Sequence, residues 1–453
     1  MKTREHKLKI GVSGVRGVVG EFLTPALACA FAQAFGTYVG PGRVVVGRDT
    51  RPHGEMLERA VACGLLASGC DVVQLGVQPT PTIQIYVAAR GARGGIAITA
   101  SHNPPEYNAL KLFNGRGLFL NSYERSELID LFHQSEFRHA GYTEIGDVTP
   151  DFHRAPGLHM ERVLAHVDAH RIRRRRFRIA VDAVNGAGSL MTVEFLERRL
   201  GCEVGSVATD PTRPFSRVAE PRPDTLGDLA AAVRRYGCHA GFAQDPDADR
   251  LAVADETGRV LDNDDVLALA VGAALARVPG DVVVNLSTSA VIDDVAAQHG
   301  RKVWRTAVGE ANVVEAMLAV NAAIGGEGSN GGIIFPAVHL CRDSYTGMAF
   351  LLDLMAAEGK PVSELAATLP RYWRQFGKVQ FEHGRLGPLM QALEDRFPAA
   401  AKDRTDGLKL LMEGRWVHVR ASNTEPIMRL AVEARSQDEA ADLMRAVEQI
   451  LAE

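Results

Sequence analysis

Short runs of β-branched residues alternate with longer Ala- and Leu-rich segments along most of this 453-residue chain, and this alternation constrains the fold more than any other feature. The helical segment ALACAFAQAFGTYV (26–39) precedes the strand-like run VVVGRD (44–49). Helices and strands in alternation are typical of α/β domains. The pattern restarts at FRIAVDAVNGAGS (177–189) and at DVVVNLSTSA (281–290), which predicts three α/β units in series.

The last part of the chain, from about residue 369, has a different pattern. KVQFEHG, LKLLMEGRWVHVRAS and IMRLAVEARS are typical of strands, and SQDEAADLMRAVEQILAE is typical of a helix. We therefore expect a separate α+β domain at the C-terminal end. The predicted domains are 1–152, 153–257, 258–368 and 369–453.

Composition narrows the possible partners. The formal net charge is −4, so the whole molecule lacks the positive field that holds nucleic acid or an anionic membrane. The Arg-rich run RIRRRRFR (171–178) is short and lacks a known nucleic-acid motif, so we interpret it as a solvated surface. No signal-peptide core or apolar stretch of about 18 residues is found, and the six cysteines lack paired spacing. We expect a cytoplasmic protein with reduced thiols and small-molecule partners.

Ser101 lies in ITASHNPPEYNALK, just beyond a short apolar strand. Polar loops at the carboxyl ends of strands bind ligands in α/β sheets, and the tandem Pro104–Pro105 stiffens this loop. Alone, the segment is also compatible with a strand-ending turn in which polar side chains satisfy the backbone. If Ser101 carries a phosphoryl group, it needs a cation and a nearby proton donor or acceptor, for which Lys111 is a candidate.

Asp245, Asp247 and Asp249 alternate in FAQDPDADR and offer the oxygen ligands that Mg²⁺ prefers. An EF-hand loop also begins DxDxD, but Arg250 occupies the position where that loop needs glycine, and LAVAD after it is typical of a strand. A solvated acidic turn is the other alternative. Three close carboxylates repel one another unless a cation lies between them, so we favour a metal loop.

Two further segments carry polar groups suited to a sugar phosphate. IGGEGSN holds Glu327, Ser329 and Asn330, which can hydrogen-bond sugar hydroxyls, although an ordinary Gly-rich turn would look similar. A second segment, WVHVRASNTEPIMRLAVEA, is typical of a strand, a polar turn and a strand; it could cradle a phosphate or be a plain hairpin. Its candidate phosphate ligands are Arg420, Ser422, Asn423, Thr424 and Arg429.

Together these four segments, in this order, resemble the α-D-phosphohexomutase family across essentially the whole chain. TASHNP resembles its phosphoserine loop, DPDADR its metal loop, GEGSN its sugar-binding loop and RASNTEP its phosphate-binding loop. SGVRG, GRDTR and VDAVNGAGS also match the family pattern. The resemblance implies three similar α/β domains with mixed sheets plus a C-terminal α+β domain, arranged around a central cleft.

The resemblance also implies roles for individual residues. Ser101 would be the phosphoserine and, with Asp245, Asp247 and Asp249, would bind one Mg²⁺. The groups around the transferring phosphoryl would be Arg16, His102, Lys111 and Arg250. The substrate would contact Glu327, Ser329, Asn330, Arg420, Ser422, Asn423, Thr424 and Arg429. The activity implied is exchange of hexose 6-phosphate and hexose 1-phosphate through a hexose 1,6-bisphosphate.

Within the family, GGEGSNGGIIFP and CRDSYTGMA are most similar to the archaeal-type phosphoglucosamine mutases. Phosphomannomutase or phosphoglucomutase activity is the alternative, and a non-catalytic sugar-phosphate binding protein is an alternative of another class. The chain departs from many relatives at the sugar loop, where Asn330 and glycines stand in place of a histidine. The sequence is compatible with a monomer or a homodimer. A hinge is expected near residues 366–374, because the last domain must clamp and release an intermediate.

Overall fold

The computed structural model describes residues 9–11, 14–380, 386–421 and 427–452. Its strands form four sheets that follow one another along the chain, with seven, four, four and five strands. Three mixed α/β sheets and one antiparallel sheet are thus present, which confirms the predicted fold class.

The first domain contains a seven-stranded sheet in the order β1-β2-β6-β5-β3-β4-β7. Its elements are β1 (Lys9–Gly11), β2 (Gly14–Val18), α1 (Pro25–Val39), β3 (Gly42–Arg48), α2 (Gly54–Ala67), β4 (Cys70–Val77), α3 (Thr80–Ala89), β5 (Gly94–Ile98), β6 (Tyr107–Asn114), α4 (Ser122–Gln134) and β7 (Val148–Pro150). Helix α1 begins where sequence rules predict, because Thr24 caps the N–H of Leu27 and Pro25 occupies the first turn.

The second domain has four strands in the order β11-β10-β8-β9. Its elements are α5 (Arg154–Leu164), α6 (Ala169–Arg175), β8 (Arg178–Asp182), α7 (Ser189–Glu194), β9 (Glu203–Ala208), α8 (Gly227–Tyr236), β10 (Ala240–Gln244) and β11 (Leu251–Ala254). The strand β11 directly follows the three aspartates, so the segment is not an EF-hand, as predicted.

The third domain has the order β13-β12-β14-β15. Its elements are α9 (Asn263–Leu275), β12 (Val282–Asn285), α10 (Val291–Gln298), β13 (Val303–Thr306), α11 (Glu310–Val320), β14 (Ile324–Glu327), β15 (Gly332–Ile334), α12 (Ser344–Glu358) and α13 (Val362–Ala367). Helices α9 and α12 are apolar around most of their circumference, because they pack against each other in a core shared with the second domain.

The three α/β domains share one four-stranded unit. In each, two parallel neighbours flank a central strand, and a fourth strand runs antiparallel at the end: β4-β3-β5-β6, β9-β8-β10-β11 and β13-β12-β14-β15. The loop between the third and fourth strands carries Ser101 and His102 in the first unit, the three aspartates in the second, and Ser329 and Asn330 in the third.

The fourth domain is an antiparallel sheet in the order β16-β20-β19-β18-β17, with helices beside it. Its elements are β16 (Trp373–Gln380), α14 (Leu386–Arg396), β17 (Ala401–Asp403), β18 (Leu408–Met412), β19 (Arg415–Ala421), β20 (Ile427–Ala434) and α15 (Gln437–Ala452). This confirms the predicted α+β character of the C-terminal part. Across the described ranges of the chain, no helix has the length and apolar character needed to cross a membrane.

Candidate active site

Ser101 lies three residues beyond β5 and is only 3% exposed. Its backbone has φ of +49°, a left-handed conformation that non-glycine residues rarely adopt. Its hydroxyl Oγ donates a 2.6 Å hydrogen bond to Asp245 Oδ2, across the interface between the first and second domains. The predicted phosphoserine and the first residue of the predicted metal loop are therefore in direct contact.

Arg51 holds the loop that carries Ser101. Its guanidinium is 1% exposed and donates to four main-chain carbonyl oxygens, at distances of 2.7 to 3.0 Å. Those carbonyls belong to Ser101, Asn103, Pro104 and Tyr107. Asp49 orients the guanidinium through a 3.1 Å ion pair. A buried arginine thus fixes the path of the loop and, with it, the strained conformation of Ser101.

The three aspartates are buried and offer carboxylate oxygens that all lie within 4.8 Å of one another. Lys111 Nζ, on β6, lies 2.5 Å from Asp247 Oδ2 and 3.2 Å from Asp249 Oδ2. Thr80, at the start of α3, donates a 2.6 Å bond to the same oxygen of Asp247. The structure therefore brings together the metal loop and Lys111, residues that lie more than 130 positions apart.

Burial, mutual repulsion and the charge of Lys111 give these carboxyls different pKa values. Burial and the neighbouring charges of Asp247 and Asp249 raise the pKa of Asp245 well above its usual range. For Asp247, burial acts in the same direction, but the charge and hydrogen bond of Lys111 outweigh it and lower the pKa. Burial also opposes the charge of Lys111, yet the two aspartates raise its pKa, so Lys111 is held as a cation.

The arrangement fits a divalent cation. Among the described residues, Oδ1 of Asp247 and Oδ1 of Asp249 are buried and have no hydrogen-bond partner. Buried carboxylate oxygens are costly unless paired or bound to a metal. Hard oxygen ligands in this number, beside a serine hydroxyl, are suited to Mg²⁺.

Three more predicted catalytic residues surround Ser101. Arg250 is 6% exposed, and its Nη1 bonds Glu220 Oε1 at 3.0 Å. Arg16 on β2 donates a 2.7 Å bond to Asn103, and burial lowers its pKa. Nδ1 of His102 lies 3.4 Å from Ser101 Oγ. Burial, with the charges of nearby arginines, lowers the pKa of His102 to about 2, so its imidazole is neutral.

The predicted sugar loop lies at the end of β14, opposite the metal loop. Both carboxylate oxygens of Glu327 have protein partners: Oε1 accepts from Asn285 (3.0 Å) and from the N–H of Gly309 (2.8 Å), and Oε2 accepts from Arg342 (3.3 Å). Gly309 has φ of +128°, so only glycine readily turns its N–H toward Glu327. Ser329 and Asn330 are half-buried and follow in a short 3₁₀ turn.

Two adjoining cavities connect these groups. One of about 200 Å³ is lined by Arg16, Ser101, His102, Lys111, Arg250, Glu310, Glu327, Asn330 and Arg342. The other, of about 310 Å³, is lined by residues of all four domains, among them His102, Ser329, Asn330, Arg420 and Arg429. His102, Arg250 and Asn330 line both. A cleft thus runs from the loop that carries Ser101 to the C-terminal domain.

Arg420 and Arg429 are paired across β19 and β20, on the fourth-domain side of the cleft. Burial lowers the pKa of Arg420, despite Asp406 nearby. Predicted residues Ser422, Asn423 and Thr424 lie outside the described residues.

Three residues of the site were not predicted from the sequence: Arg51, Thr80 and Arg342. Only the motifs GRDTR and CRDSYTGMA signalled Arg51 and Arg342, because their partners lie far away in the chain.

Comparison with known proteins agrees with this geometry. Family models described as phosphoglucomutase/phosphomannomutase domains I, II, III and IV match residues 7–139, 158–258, 262–372 and 386–450. The chain belongs to this phosphohexomutase family. It is therefore an enzyme of the isomerase class, and the predicted mutase activity is confirmed at the level of the family.

Similar proteins cover the phosphohexomutase chain almost completely. A Thermococcus kodakarensis protein named phosphoglucomutase/phosphomannomutase is 41% identical over 442 residues, 96% of each chain. A Methanopyrus kandleri protein named probable phosphoglucosamine mutase is 40% identical over 437 residues, covering 96% of this chain and 95% of that one.

Solved structures agree on the fold. A family protein from Burkholderia thailandensis has a TM-score of 0.85 and 26% identity, covering 98% of this chain and 96% of its own. An Aspergillus fumigatus N-acetylphosphoglucosamine mutase, in complex with GlcNAc-6P and magnesium, has a TM-score of 0.56 and 18% identity. It covers 90% of this chain and 82% of its own, and at that identity it supports the fold alone.

Proposed function

We propose that this phosphohexomutase works through a phosphorylated Ser101. The observation that carries the proposal is the contact of Ser101 Oγ with Asp245 Oδ2, beside Lys111 and two further carboxylates. A nucleophilic hydroxyl, a cation site and a lysine cation at one point are the components that phosphoryl transfer needs.

In the forward step, the bond between Ser101 Oγ and phosphorus breaks while a bond between phosphorus and a sugar hydroxyl oxygen forms. The hydroxyl loses its proton and Ser101 Oγ gains one. The product is a hexose 1,6-bisphosphate, which turns over in the cleft and returns its other phosphoryl group to Ser101. The charges of Lys111, Arg250 and Arg16 balance the charge of the transferring group.

Asp245, Asp247 and Asp249 would hold one divalent cation, with an oxygen of Ser101 or its phosphate. When bound, Mg²⁺ would supply charge neutralisation at the transferring phosphoryl group. Because Lys111 is held protonated by Asp247 and Asp249, we assign it as a charge-stabilising group and proton donor. His102 is neutral and can accept a hydrogen bond from a hydroxyl.

The larger cavity is suited to the part of the substrate that does not react. Arg420 and Arg429 can bind a phosphate, and we assign Ser422, Asn423 and Thr424 to the same group. Glu327, Ser329 and Asn330 lie between the two ends of the cleft, where sugar hydroxyls would pass. With Glu327 fully engaged, a sugar hydroxyl would have to replace or share one of its present partners.

We propose glucosamine phosphate as the preferred substrate, since several archaeal relatives carry the name probable phosphoglucosamine mutase. A specific observation favours a second candidate: the Thermococcus relative at 41% identity is named phosphoglucomutase/phosphomannomutase. Activity on mannose or glucose phosphate is therefore the alternative.

The test follows phosphorus NMR signals while the enzyme, Mg²⁺ and a trace of hexose 1,6-bisphosphate are incubated with glucosamine 6-phosphate, mannose 1-phosphate or glucose 1-phosphate. We expect exchange between the two positions, fastest with glucosamine phosphate. Ser101→Ala should abolish exchange and leave ligand binding largely intact, and a chelator should stop exchange until Mg²⁺ is restored. Near-normal activity of Ser101→Ala would refute the covalent route.

A further inference from the structure

Arg342 connects the metal loop with the sugar loop. It lies between β15 and α12 and is 8% exposed. Its Nη2 donates a 2.7 Å bond to Asp249 Oδ2, and its Nη1 donates a 3.3 Å bond to Glu327 Oε2. One rigid guanidinium therefore touches a carboxylate of the second domain and a carboxylate of the third.

Glu310, the first residue of α11, holds Arg342 in this position. Its Oε1 accepts a 3.1 Å bond from the main-chain N–H of Arg342, and its Oε2 forms a 3.0 Å ion pair with Arg342 Nε. Glu310 thus holds the main chain of Arg342 and places a negative charge beside Nε, while the two terminal nitrogens of the guanidinium point to different loops. A planar fork with fixed donors suits this task, whereas a lysine offers a single point charge.

The contacts decide which oxygens stay available at the metal loop. Lys111 and Thr80 occupy Oδ2 of Asp247, while Lys111 and Arg342 occupy Oδ2 of Asp249. Oδ1 of each aspartate has no hydrogen-bond partner in the part of the chain that the structure describes. Groups that hold one oxygen of a carboxylate orient the other toward a metal.

We propose that Arg342 is a positioning residue that presents Asp249 Oδ1 to the divalent cation and holds Glu327 in place for the sugar. The inference rests on the proposed function, because it assumes a cation at the metal loop and a sugar at Glu327. It assigns a role in two binding events to Arg342, which lines the smaller cavity together with Ser101 and Glu327.

The first test measures Mn²⁺ binding to the complete protein by calorimetry, without substrate. Arg342→Met should bind Mn²⁺ about 10-fold to 100-fold more weakly than the wild type, because Asp249 loses its orienting partner. Arg171→Met is the matched control, since Arg171 also joins the second and third domains through an aspartate, Asp353, away from the cavities. The control should bind Mn²⁺ like the wild type.

The second test measures steady-state kinetics with the best hexose phosphate at saturating Mg²⁺. Arg342→Met should raise KM for the sugar phosphate as well as lower kcat, since Glu327 loses a partner. A lysine at this position can reach one carboxylate but not both. We therefore expect Arg342→Lys to restore either KM or kcat, but not both. Glu310→Gln should raise KM and lower kcat to a smaller extent, because Arg342 loses the charge of its ion-pair partner while glutamine can still accept the main-chain N–H.

The outcomes separate the two proposals. Unchanged Mn²⁺ affinity or unchanged KM in folded Arg342→Met would overturn the role of Arg342 and leave the mutase mechanism intact. Equal losses of Mn²⁺ affinity in Arg171→Met and Arg342→Met would also overturn it, because domain contact alone would then explain the effect. A wild-type protein without Mn²⁺ affinity would overturn the proposed metal site, and this inference with it.

Discussion

Arg51 shapes the loop that carries Ser101 through main-chain carbonyls, and removal of this arginine should destabilise the protein severely. Arg51→Met leaves Asp49 buried without its ion-pair partner and frees the four carbonyls. Breaking a buried pair in this way costs about 3 to 5 kcal/mol. We expect a lower unfolding temperature, and little phosphate on Ser101 in the protein that stays folded, measured by mass spectrometry.

Arg59→Met provides the control for that prediction. Arg59 forms an exposed ion pair with Glu55 on α2, and exposed pairs contribute little to stability. Loss of this pair should shift the unfolding temperature by no more than about a degree or two. The phosphate content of Ser101 should stay the same. If Arg51→Met behaved like this control, the loop would owe its shape to other contacts.

Individual residues differ in how well the sequence predicts them. Ser101 and the three aspartates were predicted because each stands in a contiguous motif with recognisable chemistry. The structure brings them into contact, although their roles stay proposals. Arg342 stands in the motif CRDSYTGMA, but that motif does not indicate what the arginine contacts, because its partner Asp249 lies 93 positions earlier in the chain. Such contacts exist only after the domains have packed.

At the scale of elements, the alternating pattern predicted strands and helices but not the strand order. The sequence places β3, β4 and β5 in succession, whereas β3 lies between the other two in the sheet. Pairing of this kind depends on crossover connections and long-range packing, which hydrophobic periodicity does not report. Similarly, no periodicity showed that α9 and α12 are buried between two domains.

The turn after β6 contacts the segment before α12, and this contact predicts a pH dependence. His339 Nε2 lies 3.1 Å from the carbonyl oxygen of Gly117. Burial, with the positive charge of Arg162, lowers the pKa of His339 to about 4. Unfolding exposes an imidazole with a pKa of about 6.5, so the unfolded chain binds the proton first. The stability from this site is complete above about pH 7 and falls as the pH drops toward 4.

The measurement compares unfolding in denaturant at pH 7.5 and pH 5 for the wild type and for His339→Gln. Glutamine keeps an N–H donor for Gly117 but does not titrate. We expect the wild type to lose more stability on acidification than the variant, by roughly 1 to 2 kcal/mol. Equal losses of stability in both proteins would show that the folded state does not lower the pKa of His339.

At the scale of the whole molecule, several of the contacts that join the first two domains are also contacts of the proposed reaction centre. Ser101 bonds Asp245, and Lys111 and Thr80 bond Asp247. Fold class and family could be predicted from the sequence. That the same side chains both join the domains and form the proposed reaction centre could not. Domain arrangement depends on side chains that meet across interfaces, and no single segment encodes them.

The fourth domain should move relative to the third. The connection runs from the end of α13 at Ala367 to the start of β16 at Trp373, within the predicted hinge at 366–374. Arg374 forms ion pairs with Asp262 and with the buried Asp264 of the third domain. We expect hexose 1,6-bisphosphate to reduce the radius of gyration of the wild type in solution scattering. Unchanged scattering would count against the hinge.

Arg374→Met tests what holds the fourth domain in place. Loss of this arginine leaves Asp264 buried and unpaired at the interface, so the two domains should separate more often. We expect faster proteolysis between residues 367 and 373 and a higher KM for the hexose phosphate. Arg445→Met, which removes an exposed pair on α15, should change neither quantity.

The four-stranded unit that recurs in the first three domains has an evolutionary consequence. In every copy, the loop with the chemistry joins two neighbouring antiparallel strands, whose ends are held about 5 Å apart by the sheet. Residues in such a loop can change without disturbing the crossover helices or the core. A duplicated domain could therefore acquire a hydroxyl, three carboxylates or a strand-ending glutamate by changes in or beside this one loop. Divergence confined to that position would leave the ancestral frame recognisable in all three copies.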